Sequence, residues 1–181
     1  HLWFSDEDYL EKGSKIKWNP AIKSIKDQEA LWDGLNKDYI DVLATDHAPH
    51  TLEEKLAPYL NSPSGGPLVQ HSLSALLTSF HKNRISLEKI IQKACHNPSI
   101  LFDIKDRGFI REGFFADLVI IDLEKNYSVK KTNILYKCGW SPFENETFKG
   151  IVEKTFINGH LAYDKGKIST KIAGRALAFK R

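Results

Sequence analysis

Three side chains that titrate or bind metal ions follow a short apolar run in the first half of the chain. Asp46, His47 and His50 come directly after the apolar run at 40–44. Such a run is typical of a buried parallel strand, and α/β barrels place their chemistry at the carboxyl ends of such strands. Asp46 is therefore a candidate catalytic and metal-binding residue. His50 is a candidate substrate-binding residue on the same loop.

A purely structural interpretation of these residues competes with the catalytic one. An aspartate after a strand often caps the next helix, and the histidines then face solvent. Pro49 favours a tight turn, which places Asp46 and His50 on one short loop where both can point into a barrel mouth. This spacing favours the catalytic interpretation.

The chain is predicted to be mainly helical up to about residue 107 and mainly strands after it. Ser24 and Asp27 form a capping-box pattern, which predicts a helix over 24–36, and a strand is expected over 40–44. Asn158-Gly159 predicts a two-residue hairpin turn. The further expected elements are a loop over 52–67, helices over 68–83, from Ser86 and over 97–102, strands at 109–110, 116–123 and 151–163, and an irregular excursion over 133–150 packed back on the first part.

Composition and charge exclude several classes of protein. The chain has 26 basic and 23 acidic side chains scattered in both signs, which argues against a nucleic-acid partner. No run of 18 apolar residues is present, so we expect no membrane insertion and a cytoplasmic location. Cys95 and Cys138 have no metal-site spacing and are interpreted as reduced thiols.

Several segments resemble one enzyme family. The segments at 45–50, 53–55 and 17–23 are similar to motifs of dihydroorotase, a zinc-dependent amidohydrolase of pyrimidine biosynthesis. The segments at 97–102 and 113–120 resemble motifs shared more widely among amidohydrolases. The combination of Asn19-Pro20 with the Asp46 to His50 motif favours dihydroorotase over its cyclic-amidase relatives. The resemblance spans nearly the whole chain.

The resemblance implies an α/β fold and a division into two domains. Residues 1–107 would be the C-terminal portion of a (β/α)8 amidohydrolase barrel, and residues 108–181 a small β-rich domain that is part of a composite β-sandwich. A complete barrel normally needs about 250 residues, so we expect this chain of 181 residues to be a fragment that folds poorly and is inactive alone. Exposed apolar surface on such a piece favours a homodimer.

The resemblance also implies roles for the candidate site residues. Asp46 would ligate zinc, take a proton from the metal-bound water and hand it to the amide nitrogen of dihydroorotate. His50 would donate to the substrate carboxylate, and Asn19 would reach that carboxylate or the ring. Main-chain groups of Ser64 and Gly65 would line the ring, although the sequence around them departs from the family's pattern. Most ligands of a binuclear zinc site would lie outside this chain.

Two other functions are compatible with the same motifs. A hydantoinase or allantoinase would share the zinc chemistry and bind a different ring. A non-catalytic dihydroorotase-like subunit would support a transcarbamoylase instead, and the presence of Asp46 argues against that role. His50 is the feature that favours dihydroorotate as the small-molecule substrate.

Overall fold

The computed structural model describes residues 1–171 and 174–180. Its α-helices are α1 (Tyr9–Lys12), α2 (Ile25–Asn36), α3 (Leu52–Lys55), α4 (Ser72–His81), α5 (Leu87–Ile91) and α6 (Asn97–Leu101). Short 3-10 helices cover Asp6–Asp8, Gly13–Ile16 and Lys131–Asn133, and a π-helical segment, Gln92–His96, joins α5 to α6. No helix in the described ranges is long and apolar enough to cross a membrane.

The strands form one four-stranded sheet in sequence order. They are β1 (Leu118–Ser128), β2 (Thr147–Ile157), β3 (His160–Asp164) and β4 (Lys167–Ile168). The β2–β3 and β3–β4 pairs are antiparallel. Ile157 pairs with His160 across the turn, and Asn158 and Gly159 both have positive φ, as a tight hairpin turn requires. The predicted hairpin is confirmed, and the fold is α/β with a small antiparallel sheet.

The chain divides into two compact units that alternate along the sequence. Unit 1 contains 1–40, 44–75 and 128–148, and unit 2 contains 41–43, 76–127 and 149–181. The grouping of 128–148 with unit 1 agrees with the expectation that this irregular segment packs back on the first part. The predicted domain boundary at residue 107 stays a prediction.

Aromatic side chains form the centre of unit 1. The Phe4 and Phe143 rings stack with their centroids 5.2 Å apart, and Trp3 meets Phe148 edge to face at 5.2 Å. Trp18 packs against Phe4 at 5.7 Å. Aromatic residues remove a large apolar area from water, so this cluster holds together segments that are distant in sequence.

Helix α2 begins where the sequence predicts. The Ser24 N–H donates to Asp27 Oδ2 at 3.1 Å, which completes the expected capping box. Trp32 and Leu35 are buried, and Ile25 is half exposed. Gln28 is buried instead, because its side-chain amide donates to the Phe4 carbonyl at 3.0 Å.

The strand expected over 40–44 is absent from the described part of the chain. Ile40 lies in a bend and residues 41–44 have no regular structure, and the Leu43 N–H donates to the Lys93 carbonyl at 2.9 Å. A parallel strand exists only through hydrogen bonds to a neighbouring strand, and here the first bridge is the isolated one between His47 and Gly66. The segment at 109–110 also forms no strand, and α4 is shorter than the predicted helix over 68–83.

Candidate active site

Asp46 is exposed, lies in unit 1 outside any helix or strand, and has a φ of 48°, in the left-handed region. Its carboxylate has no hydrogen-bond or ion-pair partner within 1–171 and 174–180. The next helix, α3, is capped by Thr51, whose Oγ1 accepts a hydrogen bond from the Glu54 N–H at 3.2 Å. Asp46 therefore does not act as a helix cap, and its carboxylate is accessible to a ligand.

His50 is held by contacts on both its ring and its main chain. Its Nε2 lies 3.1 Å from the Ser64 carbonyl oxygen, a geometry in which Nε2 carries a proton and donates. Its Nδ1 lies 3.8 Å from a Glu54 oxygen. The indole N–H of Trp140 donates to the His50 carbonyl at 2.8 Å. His50 and Ser64 are thus brought together as candidate site residues.

Gly65 continues the loop beside His50 and is tightly enclosed. Its φ is 121°, and a Cβ placed on it would lie 2.6 Å from the Ala48 carbonyl oxygen. The Gly65 N–H donates to the Lys17 carbonyl at 3.0 Å. Glycine is required here for both reasons: the backbone conformation is strained for other residues, and there is no room for a side chain.

Asn19 is exposed and lies two residues after Lys17, the residue that accepts the Gly65 hydrogen bond. The peptide bond between Asn19 and Pro20 is cis. Trp18, immediately before it, is only 8% exposed. The Lys17 hydrogen bond therefore joins the segment that carries Asn19 to the loop that carries Ser64 and Gly65.

His47 is anchored at the other side of this loop. Its Nδ1 accepts hydrogen bonds from the Leu68 and Val69 N–H groups at 3.0 and 3.4 Å, so a neutral ring carries its proton on Nε2. Its ring lies 5.4 Å from the Tyr136 ring. An open cleft of about 580 Å³ is lined by His47, Pro49, His50, Thr51, Glu54, Tyr136, Lys137 and Cys138.

Sequence reasoning missed the contribution of Tyr136, Lys137 and Trp140 to this region. They lie about 90 residues after the His50 loop, and no local pattern connects the two segments. Lys55 was also missed as a structural residue, since it is 0% exposed although lysine is normally a surface residue. Burial, and secondly the Lys17 charge, lower the pKa of Lys55 to about 8.

The described residues do not build a metal site by themselves. Among them, no group of three or more histidine, cysteine, aspartate or glutamate side chains is placed to hold a metal ion. The accessible carboxylate of Asp46 fits one ligand of such a site at most.

Comparison with known proteins defines the class of this chain. The amidohydrolase family model matches residues 10–162, which include Asn19, Asp46, His50, Ser64 and Gly65. The chain belongs to the amidohydrolase family. Members of this family generally use a metal cofactor.

Curated relatives point to a particular group within the family and confirm the resemblance to dihydroorotases. The chain is 37% identical over 165 residues to the dihydroorotase of Clostridioides difficile. This alignment covers 91% of this chain and 38% of that protein. It is 39% identical over 171 residues to the dihydroorotase of Fusobacterium nucleatum, at 93% and 40% coverage. The dihydroorotase of Pyrococcus furiosus is 34% identical over 180 residues, at 99% and 42%. The chain thus spans about two fifths of the length of these relatives.

Solved structures with the same fold include cyclic amidases. An L-hydantoinase (dihydropyrimidinase) from Arthrobacter aurescens matches with a TM-score of 0.85 and 28% identity, covering 93% of this chain and 39% of that one. A dihydropyrimidinase from Brevibacillus agri matches with a TM-score of 0.81 and 21% identity, at 92% and 38% coverage. The second similarity concerns the fold alone.

Proposed function

We propose that the full-length protein is a dihydroorotase, which reversibly hydrolyses the cyclic amide of dihydroorotate to N-carbamoyl-aspartate in pyrimidine biosynthesis. The observation that carries this proposal is the joining of His50, Ser64 and Gly65 at one loop, with the Asn19 segment hydrogen-bonded to the same loop through Lys17. The dihydroorotase relatives, which align with 91–99% of this chain, support it. A cytoplasmic location and a homodimer are part of the proposal.

The architecture proposed with this function has two parts. Residues 1–107 supply the C-terminal portion of a (β/α)8 barrel, and residues 108–181 supply part of a β-sandwich. The similarity to hydantoinase structures over most of the chain supports this assignment. Residues 40–44 then form a strand that pairs with barrel strands outside this chain.

The binding residues follow from the available hydrogen-bonding groups. Asn19 and His50 recognise the substrate carboxylate as hydrogen-bond donors. The Nε2–H of His50 donates to the Ser64 carbonyl in this structure, so it exchanges that hydrogen bond for one to the substrate carboxylate. The Gly65 N–H already donates a hydrogen bond to the Lys17 carbonyl. The Gly65 carbonyl is therefore the group that accepts from a ring N–H, and the Ser64 main chain contacts the ring beside it.

Asp46 is the proposed catalytic residue. Its carboxylate accepts a proton from the attacking water and passes it to the departing amide nitrogen. The absence of a partner for this carboxylate in the described part of the chain supports the role, because a carboxylate held in a cap or ion pair is less available for proton transfer. We also propose that Asp46 contributes one ligand to a zinc site whose other ligands lie outside this chain.

A second candidate function is hydantoin hydrolysis, which the match to L-hydantoinase favours. The test is to measure kcat/KM of the full-length protein for dihydroorotate, hydantoin and allantoin. We expect dihydroorotate to be preferred by at least about 100-fold, because the donors of Asn19 and His50 would lose their charged partner with a ring that lacks the carboxylate. A preference for hydantoin or allantoin would overturn the proposal, and no turnover of any ring would favour a non-catalytic subunit.

A further inference from the structure

Lys55 occupies a position that lysine rarely takes. Its side chain is 0% exposed, and no carboxylate pairs with its ammonium within the described ranges. Burying a cation without a counter-ion is unfavourable unless hydrogen bonds replace the lost water. The Nζ of Lys55 donates to the Lys17 carbonyl at 3.1 Å and to the Pro63 carbonyl at 2.8 Å.

The two carbonyls that Lys55 binds are next to the proposed substrate-binding residues. Pro63 directly precedes Ser64, and Lys17 lies two residues before Asn19. The Lys17 carbonyl also accepts the Gly65 N–H at 3.0 Å. One ammonium group therefore links both main-chain segments that carry the proposed ring and carboxylate contacts.

Further hydrogen bonds fix Lys55 and the loop that follows it. The Lys55 carbonyl accepts from the hydroxyls of Ser14 and Ser62. Lys17 in turn donates its Nζ to the carbonyls of Tyr59 and Ser62, at 2.6 and 2.7 Å. Lysine ammonium groups thus hold the loop over 56–64 at three of its carbonyls, and the loop has little freedom to move away from the Lys17 segment.

We propose that Lys55 is a positioning residue, whose buried ammonium fixes the Ser64-Gly65 main chain relative to Asn19 for substrate binding. The expected change in KM rests on the proposed function, whereas the expected change in loop mobility does not. An apolar side chain of similar length would avoid the unfavourable burial of a charge. It would leave the Lys17 and Pro63 carbonyls without this donor, and the loop would move.

The test compares Lys55→Met and Lys55→Arg in the full-length protein, with Lys26→Met as the matched control. Lys26 is exposed on α2, so the same chemical change there should leave both the hydrogen exchange over 56–67 and the KM unchanged. In Lys55→Met, amide hydrogen exchange in peptides covering 56–67 should accelerate at least about tenfold, while exchange in the other peptides stays at the wild-type rate. The KM for dihydroorotate should rise at least about tenfold with kcat within about threefold of wild type. Lys55→Arg, which keeps charged donors, should restore part of both losses.

The outcomes separate this proposal from the proposed function. Wild-type protein that does not hydrolyse dihydroorotate contradicts the function, and the exchange measurement still decides the role of Lys55. Unchanged exchange over 56–67 in Lys55→Met overturns the positioning role, as does a lower kcat at an unchanged KM. If neither variant is soluble, Lys55 serves folding and the proposal is wrong. If only Lys55→Arg is soluble, its hydrogen exchange over 56–67 and its KM are compared with those of the wild type. Equal values support the proposal, and changes in both contradict it.

Discussion

The environment of each histidine decides what its ring can do. His50 is half-buried at an open cleft, where Nε2 contacts the Ser64 carbonyl and the ring edge is accessible to a ligand. His71 is 1% exposed, and its Nδ1 lies 3.1 Å from the Ser141 hydroxyl oxygen. Burial lowers the pKa of His71 to about 4, so this ring is neutral at physiological pH and acts in packing. His50 is the histidine of the two that can bind substrate.

Burial of His71 predicts a loss of stability in mild acid. A folded-state pKa of about 4, below the usual histidine pKa of 6.5, means that the unfolded state binds more protons between these two pH values. The stability is complete above pH 6.5 and is lost as the pH falls towards 4. Between pH 7.5 and 5.0, the wild-type protein should lose about 2 kcal/mol more unfolding free energy than His71→Gln in urea titrations.

The control for this titration is His160→Gln, since His160 is exposed on β3. That variant should follow the wild-type pH dependence. If His71→Gln shows the same acid sensitivity as the wild type, then His71 is not the source of the effect.

The second prediction at this scale concerns Gly65. In Gly65→Ala the new Cβ would lie 2.6 Å from the Ala48 carbonyl oxygen, so the loop must shift. We expect the KM for dihydroorotate to rise by about tenfold or more, because a displacement of about 1 Å in a positioned group strongly weakens the site. Gly174→Ala, where a Cβ meets nothing within 4 Å, is the control and should keep the wild-type KM. Equal KM values for both variants would refute the role of the Gly65 main chain.

Elements whose signals are local were predictable from the sequence, and elements that depend on distant partners were not. The Ser24 and Asp27 capping box and the Asn158-Gly159 turn each act within a few residues, and both are found where expected. The prediction of a strand over 40–44 was wrong, because a strand requires a hydrogen-bonded neighbouring strand, which the local sequence does not determine. Lys55 and Trp140 were missed for the same reason, since their partners are set by the tertiary fold.

The segment over 128–148 contributes to the candidate site through Trp140. The Trp140 side chain is 2% exposed and its indole N–H donates to the His50 carbonyl. Trp140→Phe keeps an aromatic ring but removes this donor, and we expect a three- to tenfold rise in KM for dihydroorotate, about 0.5–1.5 kcal/mol. The value of kcat should change little.

Trp32→Phe provides the matched control for this substitution. The Trp32 indole N–H also donates to a main-chain carbonyl, that of Leu2 at 3.1 Å, but neither residue belongs to the proposed site. If the two variants raise KM equally, the Trp140 contact has no specific role at the site.

At the scale of the whole molecule, the candidate site belongs to one compact unit assembled from separate parts of the sequence. Asn19, Asp46, His50, Ser64 and Gly65 all lie in unit 1, which also contains 128–148. Large apolar side chains are exposed elsewhere on the chain, with Leu10, Leu60 and Ile110 at 94%, 90% and 89%. Such surface favours contact with further protein, as expected for a chain that spans about two fifths of its relatives.

The most direct measurement of the central claim is the turnover of dihydroorotate by the full-length Asp46→Asn protein, with zinc content determined in parallel. Asp41→Asn is the matched control, because Asp41 is an exposed aspartate in the apolar run that precedes Asp46. We predict that kcat falls by at least about 10³-fold in Asp46→Asn, since the proposed function assigns both the ligand role and the proton transfer to this one carboxylate, and that Asp41→Asn keeps wild-type turnover. A kcat within about tenfold of wild type in Asp46→Asn would contradict the account.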